Sequence, residues 1–146
     1  MDKASMHTAI LAAKGRLDLS WADIAARLGM SPVWTTSACL GMNSMPAATA
    51  DALCELLQLP AEVSHALQAF PHKHWDKAVP TDPLVYRFYE MINVYGDTIK
   101  ELIHEEFGDG IMSAIDFSMD ISRVADPKGD RVQIVLNGKF LPYRSW

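Results

Sequence analysis

The sequence predicts an α+β subunit, in which a bundle of short helices precedes one long helix and a small antiparallel sheet. Capping residues and glycines divide residues 2–57 into consecutive short helical segments. A longer amphipathic segment begins near residue 82, and two later stretches alternate apolar and polar residues as half-buried strands do. We therefore expect a helical bundle domain in residues 1–75 and a second domain in residues 81–146.

Composition is that of an ordinary globular chain with apolar surface to spare. The 146 residues are 49% hydrophobic and 21% charged, with a net charge of −5. No apolar run reaches the length of a membrane span, and the amino terminus lacks the order of a signal peptide, so we expect a cytoplasmic protein without membrane contact. Cys39 and Cys54 have no CxxC spacing and are expected to be reduced core thiols. A net negative surface means that any site for small anions must be locally positive.

Four helices are expected before residue 58, and a fifth after it. The first spans about residues 4–16, and the fourth opens after Pro46. The fifth covers about Ala61 to Phe70 and is ended by Pro71.

The second and third helices have a helix-turn-helix pattern of the type found in repressors. Ser20 caps the second helix with Asp23 at the capping-box position, and Gly29 ends it. Ser31 and Pro32 are the N-cap and first residue of the third. A DNA-binding regulator with a carboxy-terminal oligomerisation domain is therefore the alternative function.

Charge argues against DNA binding. The segment that would enter the major groove, residues 31–42, contains no Lys, Arg, Asn or Gln, the side chains that read bases and hold phosphates. Residues 1–60 carry four basic against five acidic side chains, a net charge of −1. We expect no nucleic-acid partner.

The segment between the two domains contains two histidines, His72 and His74. An H-x-H pair without a third ligand is a weak metal signal, and solvated linker histidines are the commoner case. We expect a linker bracketed by Pro71 and Pro80, and no metal site.

The long helix of the second domain has clear start signals and a narrow apolar seam. Asp82 is placed as the N-cap and Pro83 in the first turn. The seam follows a 3-4-3-4-3 spacing and consists of Val85, Phe88, Ile92, Tyr95, Ile99 and Leu102. Such a seam predicts a packing partner.

Arg87 and Glu90 are helix neighbours that point away from the seam. A solvated ion pair at i,i+3 is the ordinary interpretation of such residues. Tyr86, Met91 and Val94 crowd the same side, however, so this is not the polar face of a surface helix. We predict that the pair is at least partly buried.

Glycines shape the chain after this helix. Gly96 allows a bend, Gly108 is placed to end the helix, and Asp109-Gly110 turns the chain. Gly110 also allows backbone N–H groups to approach a small ligand. Ser113 either donates a hydrogen bond to an anion or caps the chain, and its spacing alone does not choose between these roles.

Two strands, or three, are expected in the last third of the chain. They are marked by alternation at Phe117, Met119 and Ile121, and again at Val132, Ile134 and Leu136. DPKGD joins them. Asn137-Gly138 is a tight-turn signal that predicts a third strand over residues 139–141. Such a small sheet with exposed apolar seams is expected to complete itself on a second copy of the chain.

Three stretches of this domain resemble the cyanate hydratase (cyanate lyase) family. They are TDPLVYRFYEM, VYGDTIKELIHEEFGDGIMSAIDF and VADPKGDRVQIVLNGKFLP, which lie within residues 81–142. The resemblance implies that the catalytic residues are Arg87 and Glu90 of the YRFYE motif and Ser113 of the GDGI-x-S motif. It makes residues 81–146 a catalytic and oligomerisation domain. Gly110, Ile111 and Leu141 are expected to line the substrate pocket.

The resemblance also implies a reaction and an assembly. The reaction is the bicarbonate-dependent decomposition of cyanate to ammonia and carbon dioxide through carbamate, with bicarbonate as a co-substrate and no cofactor. The assembly is a homodecamer of five dimers with active sites between subunits. In this family the amino-terminal repressor-like bundle is not known to read DNA.

Overall fold

The computed structural model describes residues 1–71 and 78–144, so His72 and His74 lie outside the described residues. The chain divides into two compact units, Met1–His74 and Trp75–Trp146. The described residues form six helices and two strands, which confirms the predicted α+β class: α1 Lys3–Arg16, α2 Trp21–Leu28, α3 Pro32–Cys39, α4 Ala47–Leu57, α5 Ala61–Gln68, α6 Pro83–Phe107, β1 Gly110–Val124 and β2 Arg131–Pro142. None of these helices is long and apolar enough to cross a membrane.

Side-chain caps and a glycine fix the ends of α2 and α3 in the first unit, as the sequence predicted. The Ser20 side chain accepts from the backbone N–H of Asp23, whose carboxylate accepts from the Ser20 N–H, completing a capping box. Gly29 ends α2 in the left-handed conformation. The Ser31 side chain caps α3, with Pro32 in its first turn.

The helices of the first unit enclose one apolar core. Its largest fully buried apolar side chains are Met6, Ile10, Ile24, Leu53, Leu57, Leu67 and Val63. Both cysteines are free and buried in this unit, as expected. Burial raises the pKa of the Cys39 thiol to about 12, with a smaller contribution from Cys54 nearby. Burial also raises the pKa of the Cys54 thiol, so the folded unit disfavours the reactive thiolate form of both cysteines.

Helix α6 dominates the second unit. The Asp82 carboxylate accepts from the N–H groups of Leu84 and Val85, and Pro83 occupies the first turn. The helix continues through Gly96 and is followed by Gly108 with a positive φ of 88°. No residue of α6 is buried within its own chain. The predicted seam is therefore present and uncovered in the single chain.

The two strands form one antiparallel hairpin. Its connection contains the predicted DPKGD turn, in which the Gly129 N–H donates to the Asp126 carbonyl. β1 begins at Gly110, earlier than its alternating pattern indicated. The predicted third strand is wrong, because Asn137 and Gly138 lie within β2 and pair with Ser118 and Phe117.

The hairpin is interrupted by a wide bulge. Met112 pairs with Phe140 and Phe117 pairs with Gly138, so the residues 113–116 face Lys139 alone. A side chain at Gly138 would collide with the Ser113 carbonyl and the Met112 side chain. Glycine is thus needed here for close backbone approach rather than for a turn.

An apolar cleft of about 740 Å³ lies between α6 and the hairpin. Its walls are Phe88, Met91, Ile92, Tyr95, Thr98 and Ile99 of the helix and Met119, Ile121, Ile134 and Leu136 of the strands. Toward the end of α6 the two elements meet more closely, since the rings of Phe107 and Phe140 are 5.3 Å apart. The hairpin therefore runs back along the helix, with residues near 120 beside the helix start.

Candidate active site

Arg87 and Glu90 form a direct ion pair near the start of α6. The Arg87 Nη1 lies 2.5 Å from the Glu90 Oε2, a charge-assisted hydrogen bond between residues three apart. In the single chain their side chains are 68% and 46% exposed. The predicted partial burial of the pair is therefore confirmed for Glu90, which is of intermediate burial, and is wrong for Arg87, which is exposed among the residues that the structure describes.

The surroundings of the pair are aromatic and apolar. The rings of Tyr86 and Tyr89 lie 6.2 Å apart, and Tyr86, Met91 and Val94 are exposed at 40%, 46% and 62%. A helix face that carries a charged pair among exposed apolar side chains has the composition of a surface that packs against a partner. The pair retains free guanidinium N–H groups that can bind an anion.

Ser113 lies in the hairpin bulge and is only 6% exposed. Its Oγ accepts hydrogen bonds from the backbone N–H groups of Ile115 at 3.1 Å and Asp116 at 2.9 Å. The hydroxyl therefore holds the bulge in shape. Both acceptor positions of the oxygen are used, which leaves its O–H proton to donate. The two roles that the sequence left open are compatible in this geometry.

Gly110 begins β1 in a tight surrounding. A Cβ at this position would lie 2.5 Å from the Leu141 carbonyl oxygen, so only glycine fits without movement of the strand. The Gly110 carbonyl is 3.2 Å from the His104 Nε2 in the last turn of α6. The close approach that this glycine permits is therefore to the neighbouring strand, at Phe140 and Leu141.

Ile111 and Leu141 are brought together by the strand register. They are direct cross-strand partners, and they are exposed at 47% and 40%. On β1, Ile111 lies one residue after Gly110 and two residues before Ser113. Directly paired residues place their side chains on one face of a hairpin. The pair forms an exposed apolar patch beside the bulge.

The chain does not unite its own Arg87 with its own Ser113. Met112, next to Ser113, shares a pocket with Ile103 and Phe107 at the far end of α6. Ile103 lies roughly 24 Å along the helix axis from Arg87 at about 1.5 Å per residue. One chain thus holds the Arg–Glu pair and the serine in two separate places, which we call the two half-sites of the proposed active site.

Lys139 is a charged neighbour of Ser113 that the sequence did not single out. It is the residue opposite the bulge, and its Nζ lies 3.8 Å from the Asp116 Oδ2. Its position depends on the bulge, which the alternating pattern of the strands does not reveal. The one available signal was its place two residues before Leu141 on a strand.

The described residues contain no group of three or more His, Cys, Asp or Glu side chains placed to hold a metal ion. The predicted site residues offer one guanidinium, one carboxylate, one hydroxyl and backbone N–H groups. Such a set suits the binding of small, planar anions through hydrogen bonds and charge.

Fold and side chains together define a class of protein: a two-part α+β protein whose second part holds an Arg–Glu ion pair on a long helix and a buried serine in a hairpin bulge. Comparison with known proteins identifies the family within this class. Residues 3–71 match the family model for the cyanate hydratase N-terminal domain, and residues 77–145 match that for the cyanate lyase C-terminal domain. The chain therefore belongs to the cyanate hydratase family.

Individual relatives agree over the whole length. Cyanate hydratases of Pseudomonas putida and Teredinibacter turnerae are each 60% identical over 146 residues, covering all of both chains. The crystal structure of cyanase from T. urticae superposes with a TM-score of 0.85 at 36% identity, covering 94% of this chain and 96% of that one. The likeness extends to both units, and nothing in these comparisons supports the DNA-binding alternative.

Proposed function

We propose that this protein decomposes cyanate with bicarbonate to ammonia and carbon dioxide, through carbamate. The observation that carries the proposal is the full-length match at 60% identity to proteins named cyanate hydratase. The presence of Arg87, Glu90 and Ser113 in the motifs quoted above supports it.

The proposed reaction joins two monoanions and then releases two neutral gases. A bicarbonate oxygen attacks the cyanate carbon, the bicarbonate's own proton and one further proton move to the nitrogen, and loss of carbon dioxide leaves carbamate. Carbamate takes up a second proton and breaks into ammonia and carbon dioxide. Holding the two anions in contact is the main catalytic effect, since well-oriented pairs gain roughly 7–11 kcal/mol over free encounter.

Each proposed catalytic residue has a defined role. Arg87 binds bicarbonate through its planar fork of donors, and Glu90, hydrogen-bonded to the same guanidinium, fixes its orientation. Ser113 donates its O–H to the anion and to the negative charge that develops during attack. Gly110, Ile111 and Leu141 line the pocket.

We further propose that the site forms between copies of the chain. Two observations support this: the separation of Arg87 from Ser113 along α6, and the exposure of seam residues such as Ile92 at 64% and Leu102 at 60%. A long helix without a buried residue is marginal by itself and gains stability from packing. A homodecamer built from five dimers, as the family resemblance implies, is the proposed assembly.

No cofactor, metal, membrane or nucleic acid is part of the proposed mechanism, and the proposed location is the cytoplasm. The free thiols of Cys39 and Cys54 suit a reducing compartment. The net charge of −5 and the uncharged helix α3 disfavour phosphate contacts.

Ammonia release by the purified protein tests the proposal. We expect release from cyanate that requires added bicarbonate and continues after treatment with a metal chelator. A control reaction without protein measures spontaneous hydrolysis. Activity that is independent of bicarbonate, or that is lost on chelation and restored by a divalent ion, would contradict the mechanism. Nanomolar binding of one DNA duplex at physiological salt would instead favour a regulator.

A further inference from the structure

Lys139 lies on the hairpin face that carries the proposed pocket residues. Ile111 and Leu141 are paired and share a face, and Lys139 precedes Leu141 by two residues on β2, which places it on that same face. Met112 and Phe140 occupy the opposite face, where they line a pocket with Phe107 of α6. The Lys139 side chain is thus on the face away from α6, opposite the Ser113 bulge.

The charge of the proposed pocket leaves a need for a further cation. Arg87 is paired with Glu90 at 2.5 Å, so these two residues together contribute no net charge. The whole chain is negative, at −5. A pocket that holds two monoanions in contact requires local positive charge to offset their repulsion. Ser113 and backbone N–H groups supply dipoles but no formal charge.

The present partner of Lys139 holds it weakly. Its Nζ is 3.8 Å from the Asp116 Oδ2, and the two side chains are 65% and 69% exposed. Exposed ion pairs of this length contribute little stability, so the flexible lysine can exchange this carboxylate for another anion. Asp116 remains tied to the bulge by its backbone N–H, which donates to the Ser113 Oγ.

We propose that Lys139 is an anion-binding residue of the active site, whose ammonium leaves Asp116 to contact a small monoanion held beside Ser113. Cyanate and bicarbonate are the two monoanions concerned, and this inference rests on the proposed function. Asp116 is the resting partner that competes with the substrate for the ammonium. Nothing in the family resemblance assigned either residue a role.

Steady-state kinetics of charge variants test this assignment. Lys139→Gln should raise the KM for one or both anions roughly 10-fold, the effect of losing one charged hydrogen bond, with a smaller change in kcat. Lys139→Arg keeps the charge and should stay close to the parent. Lys128→Gln is the matched control, because it removes the same charge from the connection at the other end of the hairpin. Separate titrations of cyanate and bicarbonate identify which anion Lys139 contacts.

Asp116→Asn tests the same assignment in the opposite direction. Removal of the competing carboxylate should lower the same KM, while size-exclusion chromatography shows unchanged assembly. If Lys139→Gln disturbs assembly, the Asp116→Asn variant decides alone. Equal KM shifts in Lys139→Gln and Lys128→Gln would overturn the assignment in favour of a general charge effect, as would an unchanged KM in Asp116→Asn. Failure of the proposed function is distinguishable, since the parent protein would then release no ammonia.

Discussion

The two units of this chain differ in what they bury. The first unit encloses a core with apolar residues such as Ile10, Leu53 and Leu67 fully buried. In the described part of the second unit, only Gly110 and Ser113 fall in the buried class. A unit that encloses its own core is able to fold alone, whereas one with exposed apolar seams needs further contacts. Stability and proposed chemistry are therefore divided between the units, and variants in each should have different consequences.

Truncation in the core of the first unit is expected to have the largest effect on stability. Leu53→Ala should lower the free energy of unfolding by about 2–5 kcal/mol, because Leu53 is fully buried. Activity per folded molecule should be unchanged. Thermal unfolding followed by circular dichroism measures the loss. Leu102→Ala in the α6 seam is the comparison: a cost near zero in the assembled protein would mean that no second copy covers the seam.

Arg87→Lys should lower the activity rather than the stability of the protein. A lysine provides charge but not the planar fork of donors, so we expect a loss of about 100-fold, or about 2.7 kcal/mol, in kcat/KM. The assembly and the melting temperature should change little, because lysine keeps the positive charge that pairs with Glu90. Arg123→Lys is the matched control, because Arg123 lies on the hairpin in an exposed ion pair with Asp130. A fully active Lys variant would make Arg87 a surface charge.

Mixed oligomers test whether the two half-sites belong to different copies. Arg87→Ala and Ser113→Ala should each be nearly inactive when refolded alone. Refolded together, they should recover roughly one quarter of the parent activity if each site takes one residue from each of two randomly mixed copies. A size tag on one variant verifies mixing. Mixed oligomers without recovered activity would mean that one chain supplies both residues.

Thiol labelling gives the smallest expected change and separates the units most directly. Dilution that dissociates the proposed oligomer should lower activity, because the second unit would then lose its proposed partner. The labelling rate of Cys39 and Cys54 should stay low and constant, since both thiols are buried in the first unit. Labelling that rises in step with lost activity would show that the two units unfold together.

Start signals of helices were predictable because they depend on neighbouring residues. The Asp82 carboxylate caps α6 by accepting from the N–H groups of Leu84 and Val85, and Ser20 and Asp23 cap α2 reciprocally, so these hydrogen bonds span three residues or fewer. The family resemblance identified Arg87 by motif, and its i,i+3 contact with Glu90 follows from helix geometry.

Long-range features were not predictable in the same way. Asn137-Gly138 has the composition of a turn, yet Gly138 lies in a strand because the bulge at Ser113 needs close backbone approach there. The bulge itself, and with it the position of Lys139, depends on a register set between segments far apart in sequence. The exposure of Arg87 was mispredicted because apolar neighbours indicate a buried face without indicating which chain buries it.

The length of α6 acts as a spacer between the two half-sites. Each residue of a helix advances the chain by about 1.5 Å and rotates it by about 100°. Inserting or deleting a single residue between Arg87 and His104 would therefore turn the guanidinium to another side of the helix relative to the hairpin, whatever the inserted side chain. Substitutions along the outer surface of α6 leave this spacing intact. The number of residues in the helix therefore sets the geometry of the proposed site, and length variants are expected to be far less tolerated than sequence variants.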